Sequence, residues 1–304
     1  MKMFVGDKFK NNSGKEFEVV EYRGTNDVDI KFVETGFCKT TTAYYIRQGR
    51  PMDNSLSVVV SEGDVYKNTF GTEYVVVKYQ TARKVHVRFL DEFGYETVST
   101  AFYVKKGVIR NPYDKTVFSR GYYGVGPYKG KTGNKTSKEY SLWGGMFNRC
   151  YCTKPGVNET YRDCSVSPEF FNFQDFAVWA TKQNGFGREG WHLDKDIVQR
   201  GNKVYSPETC AFVPQEINTL FVSVKAVRGN NPIGVNNYNG RYRASMQDGD
   251  KQRCLGHFDT DNEAFLAYKI AKEKHIKNIA NKWRDQIDPR VYDSLMDWKI
   301  EITD

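Results

Sequence analysis

A tandem repeat in the first third of this 304-residue chain limits its fold more than any other feature. The segment GDKFKNNSGKEFEVVEYRGTNDVDIKFVETG, which begins at Gly6, recurs as GDVYKNTFGTEYVVVKYQTARKVHVRFLDEFG from Gly63, an offset of 57 residues. Both copies alternate apolar and polar side chains and are interrupted by Gly and Asn, a pattern typical of short β-strands joined by turns. We therefore expect two small β-barrels, over residues 1–57 and 58–112, because closing a small sheet removes its exposed edges.

The function of the two expected barrels is open on this pattern alone. Small barrels bind nucleic acids, bind peptides or act as spacers, and the fold does not choose between these roles. A protein partner for residues 1–112 is therefore one expectation, and the sequence does not indicate an oligomeric state.

Residues 113–137 have a different composition, rich in Gly, Tyr and Lys. From Lys115 to Lys138 there are six basic residues and no acidic ones. This composition is typical of a flexible linker. The same charge would let the segment follow a phosphate backbone while its tyrosines stack on bases, in which case Lys129, Lys131 and Lys135 would contact DNA.

Two helices are expected after this segment. Lys138 to Tyr151 carries an apolar stripe at helical spacing, and Ser167 followed by Pro168 indicates the start of a helix that continues to about Gln183. Their many aromatic side chains predict a core rather than a binding surface.

The segment WHLDKDIVQRGNKVYSPETCAFVPQEIN, residues 191–218, reads as a β-β-α unit. We expect a strand from Trp191 to Val198, a polar turn at residues 199–202, a second strand from Cys210 to Val213 and a helix that opens at Pro214.

Polar side chains gather at one end of this unit. Asp194 and Asp196 fall on one face of the first expected strand with His192, and Asn218 follows in the helix. Carboxylate and amide oxygens are the ligands that Mg²⁺ prefers, so Asp194, Asp196 and Asn218 can hold one divalent cation against a phosphate. The alternative is that the two carboxylates are solvated charges at a strand edge and Asn218 is a surface amide.

The blocks YSLWGGMFNRCY, LDKDI, GNKVYSPETCAFVP and EIN, within residues 138–222, resemble the HNH endonuclease superfamily, in its phage-borne and mobile-element-borne branch. The resemblance implies a β-β-α-metal fold and Mg²⁺-dependent cleavage of DNA phosphodiesters. A homing endonuclease is one type of enzyme that it would include. Asp194 matches the family's acidic metal ligand and Asn218 its last ligand.

The sequence departs from the family at two positions. Lys195 stands where the family has the His that deprotonates the attacking water, and Thr209 stands where an Asn orients that His. Two flanking carboxylates favour the charged form of Lys195, which makes it a poor base. His192 is then the best remaining base, with Asp196 or Asn202 assisting the metal ligands.

Four cysteines of the same region offer a second type of metal site. Cys150, Cys152, Cys164 and Cys210 could hold a structural Zn²⁺ ion, but paired Cys-x-x-Cys spacings are missing. The alternative is that they are buried free thiols.

From Pro232 the pattern predicts three strands backed by a long helix, from Thr260 to about Trp283. The blocks IGV, GRYRA, LGHFDT and EAFLAYK resemble the APETALA2-type DNA-binding domain over about residues 232–281. The resemblance implies a sheet that enters the major groove of double-stranded DNA, with Arg241, Arg243, Lys251 and Arg253 on the DNA-facing side. Otherwise these side chains form a solvated strand face. Residues 289–304 predict a short helix and one further strand.

The expected fold is thus α+β and multidomain: tandem small β-barrels, a linker, an HNH-like domain over residues 138–228 and an APETALA2-like domain over residues 229–304. The net charge of +8 is compatible with an anionic partner. No apolar run is long enough for a membrane span or a signal peptide, so we expect a cytoplasmic location, that of the host if a phage encodes the chain. Three functions remain: a metal-dependent DNA endonuclease, a DNA-binding protein without cleavage, and a protein that acts through its N-terminal barrels.

Overall fold

The computed structural model describes residues 3–54, 60–221, 231–249, 251–302 and 304. Within these residues the chain is an α+β protein that contains several small sheets and seven α-helices. It divides into two compact units, Met1–Asn111 and Pro112–Asp304. The expected α+β class is therefore confirmed.

The first repeat is a four-stranded antiparallel sheet in which each strand pairs with the next along the chain. A short helix follows the last strand. The elements are β1 (Lys8–Lys10), β2 (Glu16–Gly24), β3 (Asp27–Phe32), β4 (Cys38–Thr41) and α1 (Ala43–Arg47).

The second repeat has the same five elements in the same order. They are β5 (Val65–Lys67), β6 (Glu73–Thr81), β7 (Lys84–Phe89), β8 (Glu96–Ser99) and α2 (Ala101–Lys106). The offset is 57 residues up to β7 and 58 from β8 onward, because the turn before β8 is one residue longer than the turn before β4.

The expectation of barrels is wrong, because both sheets are open. In the residues that the structure describes, the first and fourth strands of a repeat do not pair with each other. The helix covers the apolar face instead: Ile46 of α1 is buried with Phe17 and Ile30 in one core, and Val104 of α2 is buried with Tyr74 in the other. A helix packed on a sheet buries the same surface that closure would have buried.

The segment 113–137, expected to be a flexible linker, is anchored in the second unit. The backbone of Tyr122 donates to the carbonyl of Phe171 (2.9 Å) and accepts from the N–H of Phe173 (2.9 Å). A two-stranded hairpin follows, formed by β9 (Lys131–Thr132) and β10 (Lys135–Thr136). Tertiary contacts rather than composition decide the conformation of this segment.

The next region combines three helices with short strands. Its elements are α3 (Lys138–Tyr151), β11 (Ser165–Val166), α4 (Phe173–Thr181), β12 (Trp191–Asp194), β13 (Val204–Tyr205), β14 (Ala211–Pro214) and α5 (Gln215–Asn218). The predicted bounds of α3 are confirmed. The helix expected from Ser167 is instead a 3-10 turn, Pro168–Phe170, followed by α4, because the side chain of Asn172 accepts the N–H of Gln174 and starts a new helix.

The hairpin of β12 and β14 lies between two hydrophobic cores. Leu193 and Phe212, paired across the hairpin, belong to a core built on the aromatic side chains of α3 and α4. Ala211 and Val213 alternate with Phe212 and belong to the other core, shared with the C-terminal sheet and helices. Contacts with both cores therefore fix the position of the hairpin and of the polar residues that follow β12.

The C-terminal part contains three antiparallel strands and two helices. They are β15 (Val235–Tyr238), β16 (Arg241–Asp248), β17 (Lys251–Phe258), α6 (Asp261–Trp283) and α7 (Pro289–Asp297). The helix predicted from Thr260 is confirmed, and a capping box of Thr260 and Glu263 starts it. Within residues 299–302 the expected last strand is absent.

The expected boundary between residues 228 and 229 lies outside the described residues, but the two expected domains that it separates share one core. Val213 and Ile217 of the β-β-α unit pack with Ala244 and Met246 of β16 and with Ile276 of α6. Among the described residues, no helix is long and apolar enough to span a membrane.

Gly121 provides a test of the anchored segment. A Cβ atom at this position would lie 2.9 Å from ring atoms of both Phe147 and Trp143, which are fully buried. We expect Gly121→Ala to lower the free energy of unfolding of residues 112–304 by about 1–3 kcal/mol through overpacking.

The matched control is Gly145→Ala in α3, where a Cβ meets no atom within 4 Å. It should raise the same free energy by about 0.5–1 kcal/mol, since Ala favours helix over Gly. Tryptophan fluorescence during urea unfolding measures both, because all five tryptophans lie in this unit. Equal stability of the two variants would contradict the anchoring.

Candidate functional site

A cavity of about 320 Å³ lies where β12 ends. His192, Asp194, Lys195, Asp196 and Asn218 all line it, so the structure brings every residue of the expected catalytic set to one place. The remaining lining residues are Arg149, Thr160, Tyr161, Leu193, Lys203 and Tyr205.

The carboxylate of Asp194 ends the first strand. Its Oδ1 atom accepts hydrogen bonds from the backbone N–H groups of Asp196 (2.9 Å) and Ile197 (2.7 Å). Such an Asx turn removes these N–H groups from a β-ladder. The expectation that the strand runs to Val198 is therefore wrong, and Asp196 reaches the cavity from a turn rather than from a strand face.

The surroundings of Asp194 disfavour the charged form of its carboxyl group. Burial, and next the nearby charge of Asp196, raise the pKa of Asp194 to about 6, against the opposing effect of the two backbone hydrogen bonds. A carboxylate in such surroundings gains from any cation that enters the cavity.

Lys195 is the most buried charge of the site. Its Nζ atom lies 3.1 Å from Oδ2 of Asp196 and near the rings of Tyr161 and Tyr205, 5.8 and 6.0 Å from their centroids. Burial lowers the pKa of Lys195, but the hydrogen bond and charge of Asp196 outweigh it, so this pKa is raised. Lys195 is therefore a permanent cation and not a base, which agrees with the expectation from its two carboxylate neighbours in the sequence.

Arg149 is a site residue that the sequence analysis missed. It comes from the last turn of α3, and its guanidinium faces the same rings as Lys195, 5.9 Å from the centroid of Tyr161 and 5.5 Å from that of Tyr205. Its Nε atom is buried without a hydrogen-bond partner in the described part of the chain. The RCY block contains Arg149, but only the packing of α3 brings it beside the hairpin.

Asn202 and Thr209 support the loop and do not line the cavity. The Asn202 amide donates to the carbonyl of Lys195 (2.7 Å), and the Thr209 hydroxyl donates to the carbonyl of Val204 (2.9 Å). Thr209 therefore has a structural role, and Asn202, expected as an auxiliary metal ligand, lies outside the lining of the cavity.

The donors of the cavity fit a hard cation only in part. Two carboxylates and the amide of Asn218 are oxygen donors of the type that Mg²⁺ binds together with water and a substrate phosphate. Among the described residues, no group of three or more His, Cys, Asp or Glu side chains could hold a metal ion without such help.

The expected zinc ligands do not form a site of their own within the same residues. Burial raises the pKa values of Cys150 and Cys210 to about 12, which keeps both thiols protonated. Cys152 is only half-buried. Cys150, Cys164 and Cys210 pack in the aromatic core of this region.

A β-bulge changes the second expected DNA-binding surface. The register of β16 and β17 shifts at Ala244, which leaves Leu255 as an extra residue. Side chains directly opposite each other in an antiparallel pair share a face.

The bulge separates the four basic residues expected on one face. Arg243 pairs with His257 on the outer face, which Arg241 shares. Arg253 pairs with Met246, a residue of the buried face, and Lys251 pairs two positions further along that face. The outer face therefore keeps Arg241 and Arg243 but loses Lys251 and Arg253.

The three lysines of the expected linker lie on or beside the β9–β10 hairpin. Lys131 and Lys135 are exposed on its two strands, and Lys129 is exposed just before it. None of the three lines the cavity at Asp194.

No family model, curated protein or solved structure matches this chain.

The charge of Asp194 predicts a pH dependence. A carboxyl whose pKa rises from 3.8 in the unfolded chain to about 6 in the folded chain stabilises the fold fully below the lower value, and that contribution is lost as pH rises through the higher one. In EDTA, Asp194→Asn should therefore gain stability relative to the wild type, by up to about 3 kcal/mol between about pH 4 and pH 7.

Urea unfolding at several pH values measures this difference. Asp196→Asn, which removes the neighbouring charge, should lower the pKa of Asp194 and shrink the effect. A difference between Asp194→Asn and wild type that stays constant over this range would show that Asp194 is not a buried charge.

Proposed function

We propose that this chain is a DNA-binding protein whose cavity at Asp194 receives a backbone phosphate and a divalent cation, and hydrolyses the phosphodiester. The observation that carries the proposal is the convergence of Asp194, Asp196 and Asn218 with His192 in one cavity. The resemblance of residues 138–222 to HNH endonucleases supports the same chemistry.

The charges around the cavity support a phosphate as ligand. Arg149 and Lys195 approach the same two tyrosine rings, and Lys203 adds a third cation at the rim. Two neighbouring cations repel each other unless an anion lies between them. Asp194 and Asp196 offset two of these three positive charges, so a phosphate would complete the balance.

Each residue has a distinct role in this proposal. Asp194 and Asn218 would hold the cation, which would supply charge stabilisation for the leaving oxygen. Arg149 and Lys195 bind the phosphate oxygens, and the exposed imidazole of His192 accepts the proton of the attacking water.

Plasmid nicking tests the enzymatic part. With Mg²⁺ or Mn²⁺, the wild type should convert supercoiled plasmid to the open circle, and Asp194→Ala should not, since the cation loses its main ligand. His192→Ala should be slower by about 100-fold or more if the imidazole is the base. The control is Asp285→Ala, which removes an exposed carboxylate just after the end of α6. This variant should nick the plasmid like the wild type.

A second function, DNA binding without cleavage, is favoured by one observation. At the position where the HNH family has its base, this chain has Lys195, which is buried, pairs with the half-exposed Asp196 and in its charged form cannot accept a proton. Salt-sensitive DNA binding with no nicking by the wild type under either cation would establish this function in place of the first.

The outer face of the C-terminal sheet is the proposed DNA reader. Arg241 makes an exposed and therefore weak ion pair with Asp259 (2.9 Å), and Nε of Arg243 is buried without a hydrogen-bond partner among the described residues. A base edge or a phosphate would give both guanidinium groups stronger partners. Residues 229–304 contain 12 basic and 12 acidic residues, so this part of the chain has no net charge. Attraction to DNA would therefore come from the local charge of Arg241 and Arg243.

The bulge supplies a matched pair of variants for this surface. Arg241→Gln with Arg243→Gln should weaken duplex binding roughly ten-fold or more. Lys251→Gln with Arg253→Gln removes the same charge from the opposite face and should have a much smaller effect. Mobility shift at two salt concentrations measures both, and equal losses would mean that charge alone, not the face, determines binding.

A further inference from the structure

A second cavity, of about 600 Å³, lies beside the last turn of α3 and has no role in the proposed reaction. Four basic side chains line it, and no acidic residue does among those that the structure describes. The four are Arg120, Arg149, Lys154 and Arg162. A cavity with this lining has a positive potential that selects an anion.

Arg149 belongs to the walls of both cavities. It lines the second cavity together with Arg120 and the first together with Asp194. The two cavities are therefore neighbours that share this residue, and a single polyanion can occupy them together.

The other three cations of this basic cavity are only lightly engaged by the protein. Arg120 stacks on the ring of Tyr151, 4.7 Å from its centroid, which leaves its N–H groups for other partners. Arg162 pairs with Glu159 (3.0 Å), and both side chains are well exposed, so this ion pair is weak. Lys154 is exposed.

Backbone strain is concentrated around the same cavity. Among the described residues, four that are not glycine have positive φ, and three of them line or adjoin it: Phe118 (50°), Ser119 (56°) and Asn158 (54°). Left-handed conformations are unfavourable for Phe118 and Ser119 and persist where the surrounding structure requires them, whereas Asn158 is of a type that adopts them readily. Here the turn at Phe118 carries Arg120 into the cavity, and Asn158 donates to the carbonyl of Asn148 (3.0 Å) at the end of α3.

We infer that the basic cavity binds phosphates of the DNA strand next to the phosphate that enters the cavity at Asp194. This inference rests on the proposed function, because the substrate strand is the polyanion. Arg149 binds at the junction, and Arg120, Lys154 and Arg162 fix the path of the strand away from the reacting bond. The site would thus set the register of the substrate rather than take part in the chemistry.

The test measures DNA binding in EDTA, where cleavage plays no part. The probe is a duplex oligonucleotide at several salt concentrations. Lys154→Gln with Arg162→Gln should reduce the slope of log K against log salt by about 2, since two phosphate contacts are lost, and should weaken binding roughly ten-fold at low salt. Lys182→Gln with Lys274→Gln, two exposed lysines outside both cavities, is the control and should keep the wild-type slope.

Glu159→Gln gives a change of opposite sign. It removes the carboxylate that competes for Arg162, so affinity should rise, which a general loss of folding cannot produce. If the wild type binds DNA and the Lys154/Arg162 double variant behaves like the control, the inference is overturned and the proposed function stands. If the wild type has no affinity for DNA, the proposed function fails and the inference fails with it.

Discussion

Packing of the β12–β14 hairpin against two hydrophobic cores is the constraint on which the second unit depends. Its alternating side chains enter two cores, with Leu193 and Phe212 on one side and Ala211 and Val213 on the other. A shift of one residue in its register would exchange these faces and expose both cores to polar side chains. The hairpin register is therefore fixed, and so is the position of the polar residues that follow it.

The candidate site is a consequence of how this hairpin ends. Asp194 leaves the strand by accepting two backbone N–H groups, and the turn that results places Lys195 in a buried pocket of tyrosine rings and Asp196 beside it. The same carboxylate that shapes the turn also faces the cavity, with its pKa raised to about 6 by burial and by Asp196. In the proposed function, Asp194 would therefore have both a structural and a chemical role, and perturbed pKa values of this kind cluster at functional sites.

Charge in this unit is local rather than overall. Arg149 joins two cavities of different composition, one with carboxylates and one with cations only among the described residues. The outer face of the C-terminal sheet adds Arg241 and Arg243 in a part of the chain that is neutral overall. A protein built in this way would hold a nucleic acid at separate points, each with a different chemistry, instead of along one basic surface.

The sequence by itself determined the features that are encoded within a few residues. These are the alternation of the repeats, the helix that begins at Lys138, the capped helix after Thr260, and the convergence of Asp194 and Asn218 on one cavity at a β-β-α unit. Only the tertiary structure decided the open sheets, the anchoring of residues 113–137 through Gly121, the position of Arg149, and the face of Lys251 and Arg253. The reason is physical. Turns, caps and periodicity depend on neighbours in the chain, whereas a one-residue bulge or a helix packed on a distant hairpin depends on which surfaces meet in space, and no local pattern records that.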